Sequence, residues 1–304
     1  MQSVMLAVDA GGTNFKYGLM TRGCDMVSPC LQIAVQAEGS ARQIEDSWRQ
    51  LSKNAREIAQ TMGATIGRVC VSTPGPFDFT AGMSRMKHKF PAIYGMPIRP
   101  WIQGELGDVP VDFLHDSTAF LLGELRKGMV DPACVMLGTG FGFACMKNGK
   151  VLVDATRTPA VVLWNRPFRA GTVEDYISRR ALRASYAKKA GTDGSDDVKE
   201  IAQKARLGDR AAAQVFDDLA DDLAELLGDV LSRLGSGSLI LGGQISLASD
   251  LFAPRLQAQL ACPVVLSTHP DAAALIGCAR FGVVGGAQAA EARQDRSPLA
   301  PEQA

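Results

Sequence analysis

The sequence predicts an α/β protein made of two similar halves, each a mixed sheet flanked by helices. Three observations carry this prediction. A strand-like run, a glycine turn and a second strand-like run occur twice, over residues 4–20 and 133–153. Each copy is followed, nearby or further along, by a long segment whose apolar residues recur at three-to-four spacing, 41–62 and 210–234, the mark of an amphipathic helix. A length of 304 residues also suffices for two domains of ~150 residues each. The expected division is 1–116 and 117–290, the final helix being free to pack back on the first half. The polar, proline-bearing tail over 291–304 reads as disordered.

The first half opens with Val4-Met5-Leu6-Ala7-Val8, a strand that ends at Asp9. The turn Ala10-Gly11-Gly12-Thr13-Asn14 leads into a second strand over 15–20. Glycines let backbone N–H groups close on an anion, and a carboxylate at a strand end suits a hydrated Mg²⁺ beside a phosphate. An ordinary Gly-Gly hairpin preceded by a chance acid is the competing reading. Lys16 reads either as a phosphate contact or as a solvated lysine. In the helix over 41–62, Ile44, Trp48, Leu51, Ala55, Ile58 and Met62 form the apolar stripe. A strand over 68–72 follows. Residues 74–110 hold six prolines and several glycines and read as loop with short strands. Within them Arg85, Lys87, His88 and Lys89 form a basic cluster, read as surface charge or as a substrate contact. A short strand over 111–114 leads to a helix over 117–127. Asp116 stands at that junction as an N-cap or as a general base, kept ionised by the positive end of the helix.

The second half repeats the theme. A strand over 133–137 runs into Gly138-Thr139-Gly140-Phe141-Gly142, and strands over 143–146 and 151–153 flank a turn at Asn148-Gly149. A dinucleotide fingerprint needs a helix directly after its glycines, which is lacking here, and no Walker-type run exists. Helices are expected over 173–190 and 210–234; in the second, Asp217, Asp218, Asp221 and Asp222 lie opposite the leucine stripe and read as a solvated face. A strand over 238–241, the turn Gly242-Gly243-Gln244 and a helix from about Ile245 complete the pattern.

Taken in order, these motifs resemble those of the ROK family of sugar kinases, within the actin, Hsp70 and hexokinase superfamily. Asp9-x-Gly11-Gly12-Thr13 resembles the first phosphate motif and Leu137-Gly138-Thr139-Gly140-x-Gly142 the second. Leu241-Gly242-Gly243 resembles the adenosine motif, and Thr73-Pro74-Gly75-Pro76 the sugar-side loop. His115-Asp116-Ser117-Thr118-Ala119 through Gly123-Glu124 resembles the Asn-Asp-x-x-Ala…Gly-Glu signature. The segment from Gly171 through Glu174 to Ser178 resembles the one that holds a sugar-binding glutamate, and the segment from Asp271 to Gly277 the start of the final helix. The resemblance spans about residues 4 to 287. It implies two actin-like (ribonuclease H-like) domains with mixed sheets and a nucleotide in the cleft between them. ATP phosphates are then expected on Gly11, Gly12, Thr13 and Asn14 and on Gly138, Thr139 and Gly140, with the adenosine side near Gly242, Gly243 and Gln244. Mg²⁺ is expected on Asp9 through water. The sugar is expected against Thr73, Pro74, Gly75, His115, Asp116 and Glu174, with Asp116 as general base.

Three departures from the family pattern leave the sugar unassigned. The family's Gly-Glu-x-Gly-His element is missing between Val153 and Ala170, which hold Asp154, Arg157, Trp164, Asn165, Arg166 and Arg169 but neither Glu nor His. The cysteine-rich zinc knuckle is reduced to its Gly171 end, with Thr172 where a cysteine would stand, so no zinc is expected. His115 replaces the usual asparagine before the base.

Composition narrows the function further. With 32 basic and 32 acidic residues the net charge is zero, so no global field draws in nucleic acid or an anionic membrane. No apolar run approaches the ~20 residues that span a bilayer, and no signal-peptide layout precedes the first strand. Seven cysteines without Cys-x2-Cys spacing read as reduced thiols in a cytoplasmic protein; Cys70, Cys134, Cys145 and Cys278 read as buried small hydrophobes. His88 and His269 lack a convincing Ser or Cys partner, which argues against triad hydrolysis. The expected activity is ATP-dependent phosphorylation of a hydroxyl of a hexose or related sugar. The alternatives are a non-catalytic sugar or nucleotide sensor, for which no room is expected for a helix-turn-helix ahead of the first strand, and a kinase with a non-sugar acceptor. A homodimer is left open.

Overall fold

The computed structural model describes residues 2–87 and 89–284; His88 and the tail read as disordered over 291–304 lie outside the described residues. The chain divides into two compact units. Of the described residues, the first comprises 2–87, 89–124, 152–160 and 271–284; the second comprises Leu125–Val151 and Val161–Pro270.

In the first unit β1 (Gln2–Ala10) and β2 (Asn14–Met20) form an antiparallel hairpin, extended on the β2 side by β3 (Leu31–Ala34). Helix α1 (Ala41–Thr61) follows, opened by a reciprocal capping box between Ser40 and Gln43. β4 (Ala64–Thr73) lies parallel to β1. A small hairpin of β5 (Phe77–Asp78) and β6 (Met83–Ser84), a 3₁₀ turn at Pro91–Ile93 and α2 (Arg99–Leu106) lead to β7 (Val111–His115), parallel to β4. Helix α3 (Asp116–Glu124) starts directly from it. The sheet order is β3-β2-β1-β4-β7. Side chains of a strand alternate between faces, and both faces of β1 are buried. Val4, Leu6 and Val8 join the core formed with Ile44, Trp48 and Leu51 of α1, whereas Met5 and Ala7 join one formed with Leu275 and Cys278 near the chain's end. Helix α2 corrects the reading of 74–110 as loop and short strands. Its Pro100 sits in the first turn, where a missing N–H costs nothing, and Trp101 and Ile102 bury the inner face.

The second unit has the same layout. β8 (Ala133–Leu137) and β9 (Phe141–Lys147) form the hairpin, extended by β10 (Lys150–Val151). A two-stranded ribbon, β11 (Pro167–Phe168) and β12 (Gly171–Thr172), precedes four helices: α4 (Val173–Tyr176), α5 (Arg179–Ala190), α6 (Val198–Arg206) and α7 (Arg210–Leu234). β13 (Leu239–Gly242) and β14 (Val264–Leu266) add parallel strands to β8, giving the order β10-β9-β8-β13-β14. Between them lie 3₁₀ turns over Gln244–Leu251 and α8 (Ala253–Gln259). The expected class, α/β with two mixed sheets flanked by helices, is the one the chain adopts.

Three local expectations are corrected. The single helix over 173–190 is two helices, because Ser178 is extended and its side chain caps α5 by accepting the Ala181 N–H at 3.2 Å. The helix from Ile245 is a 3₁₀ segment with non-helical backbone at Ala248. Asp222, read as solvated, is buried on α7, and Arg169 covers it at 2.6 Å. Asp221 and Asp218 meet Arg255 and Lys189 at 2.8 and 2.9 Å. Cys70, Cys134, Cys145 and Cys278 are buried thiols.

The last helix, α9 (Ala273–Val284), belongs to the first unit and packs on α3 and β1. Among the described residues no helix is long and apolar enough to cross a membrane.

Candidate active site

Three parallel strands of the first sheet end at one edge. The register sets Asp9 of β1 beside Ser72 of β4, and Thr73 of β4 beside His115 of β7. Ligands of α/β sheets gather beyond such carboxyl ends. The turn after β1 is closed by the Gly11 N–H, which donates to the Asp9 carbonyl at 3.2 Å and the Asn14 carbonyl at 3.1 Å. A Cβ on Gly11 would lie 3.0 Å from the Asn14 oxygen, so the tight turn favours glycine there. Ser72 Oγ donates to Asp9 Oδ1 at 3.1 Å. Burial, and then the charge of Asp116, push the Asp9 carboxyl up to about 6, against the pull of Ser72 and Lys16. Lys16 itself lies 3.8 Å from Asp271, its side chain 37% exposed, intermediate between the two sequence readings.

Asp116 is the first residue of α3. Its Oδ1 accepts the Ser117 N–H at 2.7 Å and lies 2.8 Å from His115 Nδ1. Burial alone would raise this carboxyl, but the His115 charge and hydrogen bond, the Ser117 N–H and the Lys89 charge outweigh it, and the net position is below the ordinary carboxylate range. Asp116 is therefore an ionised acceptor, held in place. His115 Nδ1 also lies 2.8 Å from Ser117 Oγ. The Phe79 ring packs edge-on at 5.8 Å, and a Cβ on Gly75 would come within 3.4 Å of His115 Cδ2 and Nε2. Thr73, Gly75, His115, Asp116 and Asp9 are thus brought together in one unit, with Pro74 in the same loop.

The donor set at Asp9 fits Mg²⁺. This ion is usually bound by one or two carboxylates plus substrate phosphates rather than by a dedicated protein cage. The mutual repulsion of Asp9 and Asp116 suits a nearby cation. Among the described residues no group of three or more His, Cys, Asp or Glu is arranged to hold a metal ion.

In the second unit the hairpin turn and the turn after β13 are neighbours. Gly243, at φ 84°, lies so close to β8 that a Cβ would stand 2.3 Å from the Leu137 oxygen. Gly138 N–H donates to the Gly140 carbonyl at 3.1 Å, and the Gly138 carbonyl accepts the Arg179 N–H at 2.8 Å. A Cβ on Gly138 would meet no atom within 4 Å. Glu174, in the first turn of α4, accepts the Phe141 N–H on Oε1 at 2.9 Å, and that oxygen lies 2.1 Å from where a Cβ on Gly140 would be. The structure therefore joins Glu174 to the second glycine turn. Sequence reasoning missed this role and the Arg179 N–H, because both depend on the fold of the intervening segment. It named Lys89 only as part of a loop cluster. In the segment that replaces the Gly-Glu-x-Gly-His element, Arg169 is engaged with Asp222 and Glu225, and the Arg157 guanidinium lies 6.0 Å from the Phe281 ring centre.

Each unit thus carries a five-stranded mixed sheet whose first hairpin ends in a glycine turn. The family model described as ROK family matches residues 168–290 of the chain. It is 28% identical over 276 residues to a glucokinase of Thermotoga maritima, covering 82% of this chain and 85% of that protein. An N-acetylmannosamine kinase of Escherichia coli O157:H7 is 23% identical over 261 residues, covering 82% and 85%. Among solved structures, a ROK family glucokinase from Streptomyces griseus in complex with glucose and AMPPNP superposes with a TM-score of 0.72 at 23% identity, over 91% of this chain and 98% of that one.

Proposed function

We propose that this chain is an ATP-dependent sugar kinase that transfers the γ-phosphoryl group to a hydroxyl of a hexose or related sugar, with Asp116 as general base. The observation that carries the reading is the set of acids at the strand ends of the first unit: an ionised, positioned Asp116 and a second carboxylate, Asp9, beside a bare glycine turn. Phosphoryl transfer asks the protein chiefly to position groups and to neutralise charge. The backbone of residues 11–14 would receive phosphate oxygens in the first unit. Residues 138–140 and 242–244 would do so, with the adenosine side, in the second. Asp9 would hold Mg²⁺ through water; the bound ion would offset phosphate charge.

Asp116 would accept the hydrogen bond of the attacking hydroxyl and then its proton. Thr73, Pro74, Gly75 and His115 would form the wall on which the sugar rests. Glu174 has one oxygen on the Phe141 N–H, and its other would accept a sugar hydroxyl. The test is ADP release with ATP and Mg²⁺ across glucose, N-acetylmannosamine, other amino sugars, ketoses and polyols, with carboxylic acids as the contrasting acceptors. Sugar-dependent release supports the reading. Release stimulated only by a carboxylic acid, or by no acceptor, overturns it.

A further inference from the structure

We infer that Lys89 is a further residue of this site, its ammonium neutralising the phosphoryl group carried at the Gly11-Gly12 turn, next to the acceptor hydroxyl held by Asp116. The inference rests on the kinase reading above and extends it. Of the basic cluster after the sugar-side loop, Arg85 and Lys87 are exposed, and the Lys87 ammonium lies 5.5 Å from the Tyr94 ring centre. Lys89 is half-buried. Its Cδ and Cε lie 3.7 and 3.8 Å from the point that a Cβ on Gly12 would occupy, so the stem runs over the phosphate turn. Its charge also reaches Asp116, where it helps to hold the carboxylate ionised.

The next residue explains why Lys89 lies there. Phe90 has a left-handed backbone, φ 51° and ψ 42°, which a bulky residue rarely adopts and which persists only where surroundings enforce it. Its buried ring packs 6.1 Å from Phe15, whose own ring lies 4.4 Å from Trp48. Phe15 is the second residue of β2, immediately beyond the turn. Phe90 therefore ties the loop to the root of the first hairpin and turns Lys89 across it. A flexible ammonium at that point can meet the oxygens of a terminal phosphate, and charge there is felt most as the phosphoryl group moves.

A cation that touches the terminal phosphate distinguishes ATP from ADP without any acceptor present. The experiment is calorimetric titration of the native protein, Lys89→Met and Lys89→Arg with ATP and with ADP in Mg²⁺, beside turnover on the best sugar of the panel and a melting curve for each protein. Lys89→Met is expected to weaken ATP binding roughly ten- to a hundredfold, the range for losing a hydrogen bond to a charged group, to leave ADP binding unchanged, and to lower turnover. Lys89→Arg is expected to recover most of the preference for ATP. Equal losses for ATP and ADP, no loss for either, or an effect confined to sugar KM overturns the inference. If no sugar is phosphorylated but Lys89→Met loses ATP selectively, Lys89 stands and the sugar acceptor falls. If sugar turnover is the same in native protein and Lys89→Met, Lys89 falls and the kinase reading stands. A native protein that binds no ATP overturns both.

Discussion

At the scale of single residues, the site depends on where two carboxylates sit. Asp116 has its carboxyl below the ordinary range, so it is a weak base in solution terms. A loose phosphoryl-transfer transition state asks little of base strength and much of position, and the Ser117 N–H and His115 supply the position. Asp116→Asn is expected to lower turnover by at least about a hundredfold, as loss of a general base does, while ATP affinity measured by calorimetry stays the same; near-native turnover removes Asp116 from the mechanism. In the proposed site Glu174 would carry two duties on two oxygens, the Phe141 N–H on one and a sugar hydroxyl on the other. Glu174→Gln keeps an acceptor for the Phe141 N–H and loses the charge, so sugar KM should rise roughly tenfold with ATP affinity kept. Glu174→Ala loses both, and ATP affinity should fall as well. Identical behaviour of the two variants would show that the turn does not need this contact. The place of Asp116 was legible in the sequence because a strand-like run leads straight into a helix there, whereas its role as base was implied only by the resemblance. Asp222 was misread because a helical wheel shows which face a residue takes on its own helix and not that Arg169, from a distant ribbon, covers that face.

At the scale of elements, short helix α4 matters because it aims Glu174 at the second turn. Its four residues are too few to hold a helix by propagation, and Asp175 holds its start. That carboxylate accepts from Arg180 at 2.8 Å and from the Thr172 N–H and hydroxyl at 3.0 and 2.8 Å. These bonds, that from Arg180 first, lower its carboxyl to about 2. A carboxyl depressed in the folded state contributes stability in full above its ordinary value, near 3.8, and loses it as pH falls toward 2. Asp175→Asn should therefore unfold at lower denaturant than the native protein at pH 5, with the gap closing between about pH 4 and pH 2. A gap that is constant across this range would mean that Asp175 acts by shape alone. The sequence showed one helix here, since Val173 through Ala190 has no glycine or proline to mark a break. The break is made by Ser178, a residue that a helix interior tolerates and a cap prefers.

At the scale of the whole molecule, both hairpin sheets were legible because strand, glycine turn and strand are adjacent in sequence. The first unit is discontinuous, completed by a helix far along the chain that the sequence left free to pack back on the first half. That packing leaves only a faint trace, two glycines in apolar helices. A Cβ on Gly123 of α3 would stand 1.8 Å from the Ala273 oxygen, and one on Gly277 of α9 would stand 1.8 Å from the Ala119 oxygen. The helices meet backbone to backbone, and neither position can take a methyl group without moving the pair apart. Gly228 in α7 offers the contrast, since a Cβ there would lie 4.0 Å from Leu260, an ordinary contact. Glycine within a helix costs about 1 kcal/mol relative to alanine, so Gly228→Ala should hold or raise the melting temperature. Gly277→Ala gains the same helix propensity but overpacks the junction, at about 1–3 kcal/mol or more, and its melting temperature should fall by roughly 2–8 °C. Because α3 begins at Asp116, turnover should fall in Gly277→Ala and not in Gly228→Ala. Melting curves and sugar turnover on the two variants decide it: a Gly277→Ala protein as stable and active as Gly228→Ala would mean that α9 does not set the position of α3.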